Sequence, residues 1–281
     1  MHYLSRTFRQ TALIPKEVRP HYFGSLANFH LNHWLEGRHG HDLIAISVQQ
    51  FAPLFTLPAL KTLKVGVGGH GQEREPAYEW EFDPRSSVVQ HLDLSMMLLK
   101  KSEVATFLGA TKSLKSFTSG FYWIDDIHEV EEGLLHNAAQ TLETLDLSWY
   151  EYNRRLPQLR GFKALKDVRL RPLETRSQRT RARTKAPYRL VDLSQFMPAS
   201  LEKLRITGQS RDGLQPGDVD ALLDDLLGLV NKRGKAFPNL KGVYVRKVLR
   251  AKSTQETAAL GNIKWSSLRE ACKTRGIVLS D

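Results

Sequence analysis

The chain has 281 residues, of which 41% are hydrophobic and 25% charged, a composition typical of a globular protein and not of a disordered or fibrous one. Its only cysteine, Cys272, excludes an intrachain disulfide and favours a reducing compartment. Residues 1–20 lack the apolar stretch of a signal peptide, and no apolar run approaches the roughly 18 residues of a membrane span, so we expect a cytoplasmic or nuclear protein.

One short apolar pattern recurs along the chain and predicts its strands. An apolar residue is followed by two variable residues, a second apolar residue, one variable residue and a third apolar residue. Eight copies begin at residues 26, 60, 89, 114, 142, 165, 201 and 240, and the copy at 114 is the weakest because it ends in Ser119. The closing alternation has the period of two expected of a strand with one buried face.

Several segments between or after these copies predict helices, because apolar residues recur on one side or capping signals bound them. One is expected to have Asp218 as its N-cap and to end at Gly234, and the last is expected to end at Gly276. The predicted helices are residues 42–55, 129–140, 217–234 and 266–276, and a last short strand is predicted at residues 277–279.

Strands that alternate with crossover connections imply a parallel sheet. One such unit cannot bury its apolar face alone, so neighbouring units stack into a curved solenoid. We predict an α/β solenoid of eight or nine irregular repeats over residues 26–281, with a parallel sheet on the concave face and helices and loops on the convex face. Residues 1–25 form an N-terminal flanking segment. A doubly wound sheet is the competing α/β arrangement, and the recurrence of one strand pattern argues against it.

The copies resemble the leucine-rich repeat, whose core runs L-x-x-L-x-L-x-x-N/C. More narrowly, SSVVQHLDLS, TLETLDLS, ASLEKLRITG and FPNLKGVYV are similar to the irregular repeats of fungal F-box/leucine-rich-repeat proteins, and this resemblance covers roughly residues 20–281. The Asn or Cys that should follow the last leucine is replaced, so no asparagine ladder is expected.

The resemblance also implies a function. In that family the repeats select a target, while the F-box docks onto the adaptor of a cullin–RING ubiquitin ligase. No F-box is evident in the sequence, so the resemblance implies substrate recognition only, and the ligase adaptor is an expected partner only if an F-box lies upstream.

The repeat register predicts which side chains face a partner, because alternation turns the third, fifth and seventh positions of each copy to the concave face. In the last three copies these positions are mostly basic, which favours a protein partner with an acidic surface. The alternative is that these charges serve solubility alone. The candidate partner-binding residues are Arg169, Arg171, Lys203, Arg205, Tyr244 and Arg246.

Residues 171–189 form a basic insertion, because the interval of 36 residues between the copies at 165 and 201 exceeds the three intervals before it, of 25, 28 and 23 residues, by roughly ten. The segment holds seven basic residues and one acidic residue in a chain of net charge +11. It supports an alternative function, binding of nucleic acid or another anionic surface through phosphate-type contacts. The candidate residues are Arg176, Arg179, Arg181, Arg183, Lys185 and Arg189.

Two aromatic clusters follow predicted strands and supply either interface anchors or caps over the edge of the core. They contain Trp123, Trp149, Tyr150 and Tyr152.

Catalytic, metal and cofactor motifs are not evident. The glycine-rich residues 66–72 lack the Lys-Ser/Thr ending of a phosphate-binding loop, and the histidines of residues 33–42 match no standard zinc spacing. We therefore expect a non-enzymatic protein without metal or cofactor, in which Cys272 is a small core residue.

Overall fold

The architecture was obtained as a computed structural model. It describes residues 24–33, 52–67, 83–95, 101–121, 127–149, 158–172, 193–207, 216–246 and 255–280. These residues contain nine strands, four α-helices and two short 3-10 helices.

The strands are β1 (Asn28–His33), β2 (Thr62–Val67), β3 (His91–Leu94), β4 (Ser116–Phe121), β5 (Thr144–Trp149), β6 (Asp167–Pro172), β7 (Lys203–Thr207), β8 (Gly242–Arg246) and β9 (Val278–Ser280). The helices are α1 (Lys101–Ala110), α2 (Ile127–Ala138), α3 (Pro216–Asn231) and α4 (Gln255–Thr274), and the 3-10 helices are Ala52–Thr56 and Leu193–Gln195.

The structure confirms the strands that the recurring pattern predicts. Each of β1 to β8 begins at the third residue of a pattern copy. Alternation sets which side is buried: in β7, Leu204 is fully buried and Ile206 is 3% exposed, while the residues between them are partly exposed. In the weakest copy Ser119 takes the position of the missing apolar residue and is itself buried, at 3%.

The chain divides into two compact units. The first comprises Met1–Trp123 and Glu132–Leu142 and contains β1 to β4, and the second comprises Ile124–Glu131 and Glu143–Asp281 and contains β5 to β9. In each unit the strands pair in parallel and follow one another in chain order. A doubly wound sheet reverses its strand order at a switch point, and neither unit does so over its described strands.

The core of the first unit combines alternate strand residues with one side of a helix. Leu63, Leu92 and Phe117 occupy equivalent buried positions on β2, β3 and β4. The α1 side chain Phe107 is 1% exposed, and its ring centroid lies 4.7 Å from that of Phe55 in the first 3-10 helix. This tilted aromatic pair adds a specific contact to the burial of apolar area.

The core of the second unit is likewise built from alternate strand residues and from one side of its helices. Leu145, Val168, Leu204 and Val243 are aligned on neighbouring strands, and each is fully buried. Helices α3 and α4 contact each other, and their apolar sides are buried, as Leu226 shows. Lys264 of α4 and Asp224 of α3 form an ion pair of 2.7 Å.

The helices differ from those predicted in three main respects, two of which concern where a helix starts. Helix α3 begins at Pro216, so Asp218 lies in its first turn and is not the N-cap; proline suits this position because its fixed φ is helical and no hydrogen bond is lost. Helix α4 begins at Gln255 and not at Ser266, so it continues through Gly261, a residue that costs a helix interior about 1 kcal/mol relative to alanine. Helix α1 has no counterpart among the predicted helices.

The helix ends that depend on glycine are confirmed. Gly234 and Gly276 both have positive φ, 87° and 60°, which an L-residue with a side chain rarely adopts. After α4, the N–H of Ile277 donates to the carbonyl of Cys272 at 2.8 Å and the N–H of Gly276 donates to that of Lys273 at 3.1 Å. These two bonds form the Schellman motif that stops a helix.

Main-chain hydrogen bonds also join the residues just before the strands. The carbonyl of Glu143 accepts from the N–H groups of Lys166 (2.9 Å) and Asp167 (3.0 Å), and the carbonyl of Lys166 accepts from those of Glu202 and Lys203, each at 2.8 Å. The same two-donor arrangement occurs before other strands in both units. This carbonyl ladder spaces successive strands within each unit without the asparagine side chains that the sequence lacks.

Across the described residues, no helix is long and apolar enough to cross a membrane.

Candidate interaction surface

In the second unit, one side of the strands carries the side chains that the core does not use. We call this side the open face, and it is built by alternation from β5 to β9. The described residues on this face are Thr144, Asp146, Asp167, Arg169, Lys203, Arg205, Thr207, Gly242, Tyr244, Arg246, Val278 and Ser280.

The strand register brings like charges together on this face. Asp146, Arg169, Arg205 and Tyr244 form a row across β5 to β8, in which Arg169 and Arg205 are direct neighbours. Neighbouring strands lie about 4.8 Å apart, and like charges directly opposite each other destabilise a sheet. The two arginines therefore need acidic partners.

Each arginine has an aspartate from the strand before its own. Nη1 of Arg169 donates to Oδ2 of Asp146 at 2.9 Å, and the Asp146 residue is only 6% exposed. Nε and Nη2 of Arg205 donate to the two carboxylate oxygens of Asp167, both at 3.0 Å. This bidentate geometry is the strongest form of the arginine–carboxylate contact, and the hydrogen bond to Asp167 raises the pKa of Arg205 above its ordinary value.

Tyr244 completes the cluster around Arg205. The guanidinium carbon of Arg205 lies 5.0 Å from the centroid of the Tyr244 ring, which places a cation over the aromatic face. The ring extends back over Gly242: a Cβ added at Gly242 would lie 2.7 Å from Cε2 and 2.9 Å from the hydroxyl oxygen of Tyr244. Gly242 thus provides the space in which the ring lies along the sheet. Contacts to Asp167 and Tyr244 fix the orientation of Arg205.

Two cations of the open face remain after this pairing. Lys203 is in register with Asp167 on one side and Gly242 on the other, and Arg246 is exposed beside Thr207. Among the described residues, neither Lys203 nor Arg246 forms an ion pair. The four cations of the face whose side chains are described are thus offset by two aspartates, which leaves two positive charges for a ligand.

A second row of charges lies just before the strands, at the residues of the carbonyl ladder. Lys241 donates to Glu202 at 2.7 Å, and Lys166 lies 3.5 Å from Glu143. The hydrogen bond from Lys241 lowers the pKa of the Glu202 carboxyl, and the nearby charges of Lys241, Lys166 and Lys203 lower it further. Lys241 belongs to this row and not to the open face, so it provides a control for the loss of one positive charge.

The corresponding side of the first unit has a different character. Over its described residues, Lys64 of β2 forms an ion pair with Asp93 of β3 at 3.1 Å, and Asp93 also accepts from the N–H of Ser95. Polar, uncharged residues such as Thr62 and Thr118 flank this pair in the register. Among the described residues, excess positive charge on a strand face is therefore found in the second unit.

The structure places five of the six predicted partner-binding residues, Arg169, Lys203, Arg205, Tyr244 and Arg246, on the open face, and it puts the main chain of Arg171 in β6. Trp149 lies in β5, but its side chain and that of Arg171 are not described. The remaining candidates lie outside the described residues: Trp123, Tyr150, Tyr152, Arg176, Arg179, Arg181, Arg183, Lys185 and Arg189.

Sequence reasoning did not find two features of this surface. It placed Asp146 at a face position but did not pair it with Arg169, and it gave Gly242 no role beside Tyr244. A usable signal was present in both cases, because aspartate and arginine occupy the same pattern position in successive copies, and Gly242 precedes Tyr244 by one strand repeat.

No reactive centre stands out in the part of the chain that the structure describes. No group of three or more His, Cys, Asp or Glu residues there could hold a metal ion. Cys272 is 1% exposed, and burial raises the pKa of its thiol, so the thiolate form is disfavoured. The open face is thus the described feature that best fits binding.

Comparison with known proteins adds no family to this description. No protein-family model matches the chain, and no curated protein matches it. The function is therefore inferred from the residues and their geometry.

Proposed function

We propose that the chain is a non-enzymatic protein-interaction module that binds an acidic protein partner on the open face of its second unit. The observation that carries this proposal is the Asp167–Arg205–Tyr244 cluster, which lies between two cations, Lys203 and Arg246, that have no acidic partner among the described residues.

An aromatic residue held in place favours binding for an energetic reason. Association loses free energy when flexible side chains become ordered, by about 0.5–1.5 kcal/mol for each one. Tyr244 is already positioned by Arg205 and Gly242, and Arg205 by Asp167. Tyrosine and arginine are also the residues that most often dominate interface energies. The cluster therefore supplies an anchor at low entropic cost.

The two remaining cations indicate the charge of the partner. Lys203 and Arg246 lie on either side of Tyr244 along the strand direction and give this part of the face a net positive charge. Complementary charges accelerate association and disfavour partners of the wrong sign. An acidic protein surface satisfies both conditions.

We further propose that the fold is a leucine-rich-repeat solenoid and that its role is target selection, as in the F-box proteins whose repeats it resembles. Three features support this: strands that start at one position of each copy, parallel pairing in chain order within each unit, and the carbonyl ladder. Binding to a ubiquitin-ligase adaptor would in addition require an F-box.

The basic insertion, residues 171–189, favours a second candidate, binding of nucleic acid. Strand β6 includes the first two residues of the insertion and ends at Pro172, so the rest of the insertion follows directly from a strand of the open face. Seven basic residues in nineteen positions suit phosphate contacts, whose affinity falls steeply with salt. This candidate makes a different prediction from the first, because the affinity should reside in the insertion and not in Lys203 and Arg246.

A binding assay with the full chain distinguishes the two. A fluorescent poly-glutamate peptide and a fluorescent duplex DNA are titrated by anisotropy at low and at high salt. We expect the peptide to bind, Lys203→Gln and Arg246→Gln to weaken it, and Lys241→Gln, which removes the same charge outside the open face, to leave it nearly unchanged. Absence of peptide binding at low salt would contradict the proposal. DNA binding that survives both open-face substitutions would favour the second candidate.

A further inference from the structure

The spacing of Lys203 and Arg246, the two open-face cations without an ion-pair partner among the described residues, indicates more specifically what the partner contains. We infer that the open face binds an extended peptide segment with two acidic side chains four residues apart and an apolar side chain midway between them. This inference rests on the proposed function and names the ligand of the same surface.

The distance between the cations follows from the register. Lys203 is paired with Gly242, and Arg246 lies four residues further along β8. At about 3.3 Å per residue this is about 13 Å along the strand, and the neighbouring strand adds about 4.8 Å sideways, which gives about 14 Å between the two Cα atoms. A ligand must therefore present two carboxylates separated by a comparable length.

An extended peptide matches this length with the fewest residues. Four residues of extended chain also span about 13 Å, and residues i, i+2 and i+4 point to the same side. In an α-helix the same four residues span only about 6 Å, so an acidic pair at this spacing would reach one of the two cations but not both. The geometry thus favours an extended segment over a helix.

The midpoint of this length is occupied by Tyr244. Its backbone lies two residues from Gly242 and two from Arg246, and its half-buried ring extends from this midpoint back over Gly242. The side chain at position i+2 of the ligand would meet this ring, and an apolar group gains most from covering it because the ring loses contact with water. The expected segment therefore has the order acidic, any, apolar, any, acidic.

Arg169 and Arg205 do not add further acidic positions to the expected peptide segment. Each already donates to an aspartate, and Arg205 does so through two hydrogen bonds. A ligand carboxylate could replace Asp146 or Asp167 only by leaving that aspartate without its cation. We therefore assign Arg205 a positioning role, in which it holds the Tyr244 ring, and assign recognition of the acids to Lys203 and Arg246.

Three peptides of matched charge test the inference on the full chain, with anisotropy as the measurement. The first has two glutamates four residues apart and a central leucine among β-branched residues, the second has the same composition with the glutamates adjacent, and the third replaces the central leucine by alanine. We expect the first to bind about five- to tenfold more tightly than the second, which corresponds to about 1 kcal/mol or slightly more for the second cation contact.

Variants of the chain assign this preference to residues. Lys203→Gln and Arg246→Gln should each reduce the preference for the spaced peptide to within about twofold, whereas Lys241→Gln should preserve it. Tyr244→Ala should abolish the difference between the leucine and alanine peptides, and Tyr244→Phe, which retains the ring, should preserve that difference. Unchanged circular dichroism and thermal midpoints establish that the variants are folded.

The outcomes separate this inference from the proposal beneath it. If both glutamate isomers bind equally and both lose affinity in the Lys203 and Arg246 variants, the spacing inference is wrong and the proposed function stands. If neither isomer binds at low salt, the proposed function fails and this inference fails with it. Displacement of the spaced peptide by single-stranded DNA at equal concentration would also overturn both, because phosphates would then be the preferred anions.

Discussion

The ion pair between Asp146 and Arg169 provides the strongest test of the open-face geometry. Replacing Asp146 by Asn keeps the shape of the side chain and removes its charge. The Nη1 to Oδ2 distance is 2.9 Å, and Asp146 is only 6% exposed, so the variant loses an ion pair in a largely desolvated position, although the amide oxygen can still accept a hydrogen bond from Arg169. The same change leaves Arg169 directly opposite Arg205 with one carboxylate fewer between the strands.

The expected loss of unfolding free energy for Asp146→Asn lies between the values for exposed and for buried ion pairs. Exposed pairs contribute about 0–1 kcal/mol, and breaking a fully buried pair costs about 3–5 kcal/mol. The Arg169 side chain is still 39% exposed, so the expected loss lies closer to the range for exposed pairs. Repulsion between Arg169 and Arg205, which Asp146 no longer offsets, adds about 0.2–1 kcal/mol. We therefore expect Asp146→Asn to lower the free energy of unfolding by about 2 kcal/mol.

A double-mutant cycle isolates the pair. Urea denaturation of Asp146→Asn, Arg169→Gln and the double variant should give a coupling energy of about 1–2 kcal/mol, since removing both partners leaves no unpaired charge. The transitions should be followed by both fluorescence and circular dichroism, because only coincident curves justify a two-state free energy for a chain with two compact units. A coupling energy within about 0.3 kcal/mol of zero would refute the reasoning.

Three further predictions concern other parts of the fold. Gly242→Ala should cost about 1–2 kcal/mol in thermal or urea unfolding, because its Cβ would lie 2.7 Å from the Tyr244 ring, and the cost should fall in a Tyr244→Ala background. Lys241→Gln should raise the pKa of Glu202 measured by carboxyl NMR, since Lys241 lowers it. The pair therefore stabilises the protein above the unfolded-state pKa of Glu202, and this contribution is lost as pH falls through the lowered folded-state pKa; an unshifted titration would contradict this. Phe107→Ala should cost about 3–5 kcal/mol in urea unfolding, because a fully enclosed ring is removed, and a cost below 1 kcal/mol would contradict the described packing.

The strands could be predicted from sequence because their signal is both periodic and repeated. Each copy places apolar residues on one side of an extended segment, and eight copies reinforce one another. The buried Ser119 shows that the position in the repeat predicts burial better than the residue type does, since a serine occupies the core position of its copy. Leu114, just before β4, and Phe117 in β4 are fully buried and supply the apolar area that the serine does not.

The helices were less predictable because their boundaries depend on weaker signals. Gly234 and Gly276 require positive φ, so the two helix ends they mark were correctly located. The start of α4 at Gln255 follows Thr254, an N-cap residue type whose signal was overlooked, and Asp218 resembles an N-cap although Pro216 begins the helix. Element type thus followed from periodicity, while helix starts did not.

The absence of an asparagine ladder illustrates a limit of motif reasoning. The sequence shows that the side chains needed for such a ladder are missing, but it does not show what replaces them. The carbonyls of Glu143, Lys166 and Glu202 each accept two main-chain donors from the next strand start. Any residue type can supply this contact, so no side-chain motif records it.

The charged residues of the open face could be counted from the sequence, but the sequence does not show which of them pair with each other. Counting residue types gives a strongly basic surface, whereas the structure offsets Arg169 and Arg205 with aspartates contributed by the preceding strands. The functional consequence is a change from a diffuse positive field to two defined charges, Lys203 and Arg246, on either side of Tyr244. A diffuse field attracts any anion and is screened by salt, whereas two charges at fixed spacing discriminate between anions of different geometry. Specificity at this surface should therefore depend more on the spacing of the ligand's carboxylates than on its total charge.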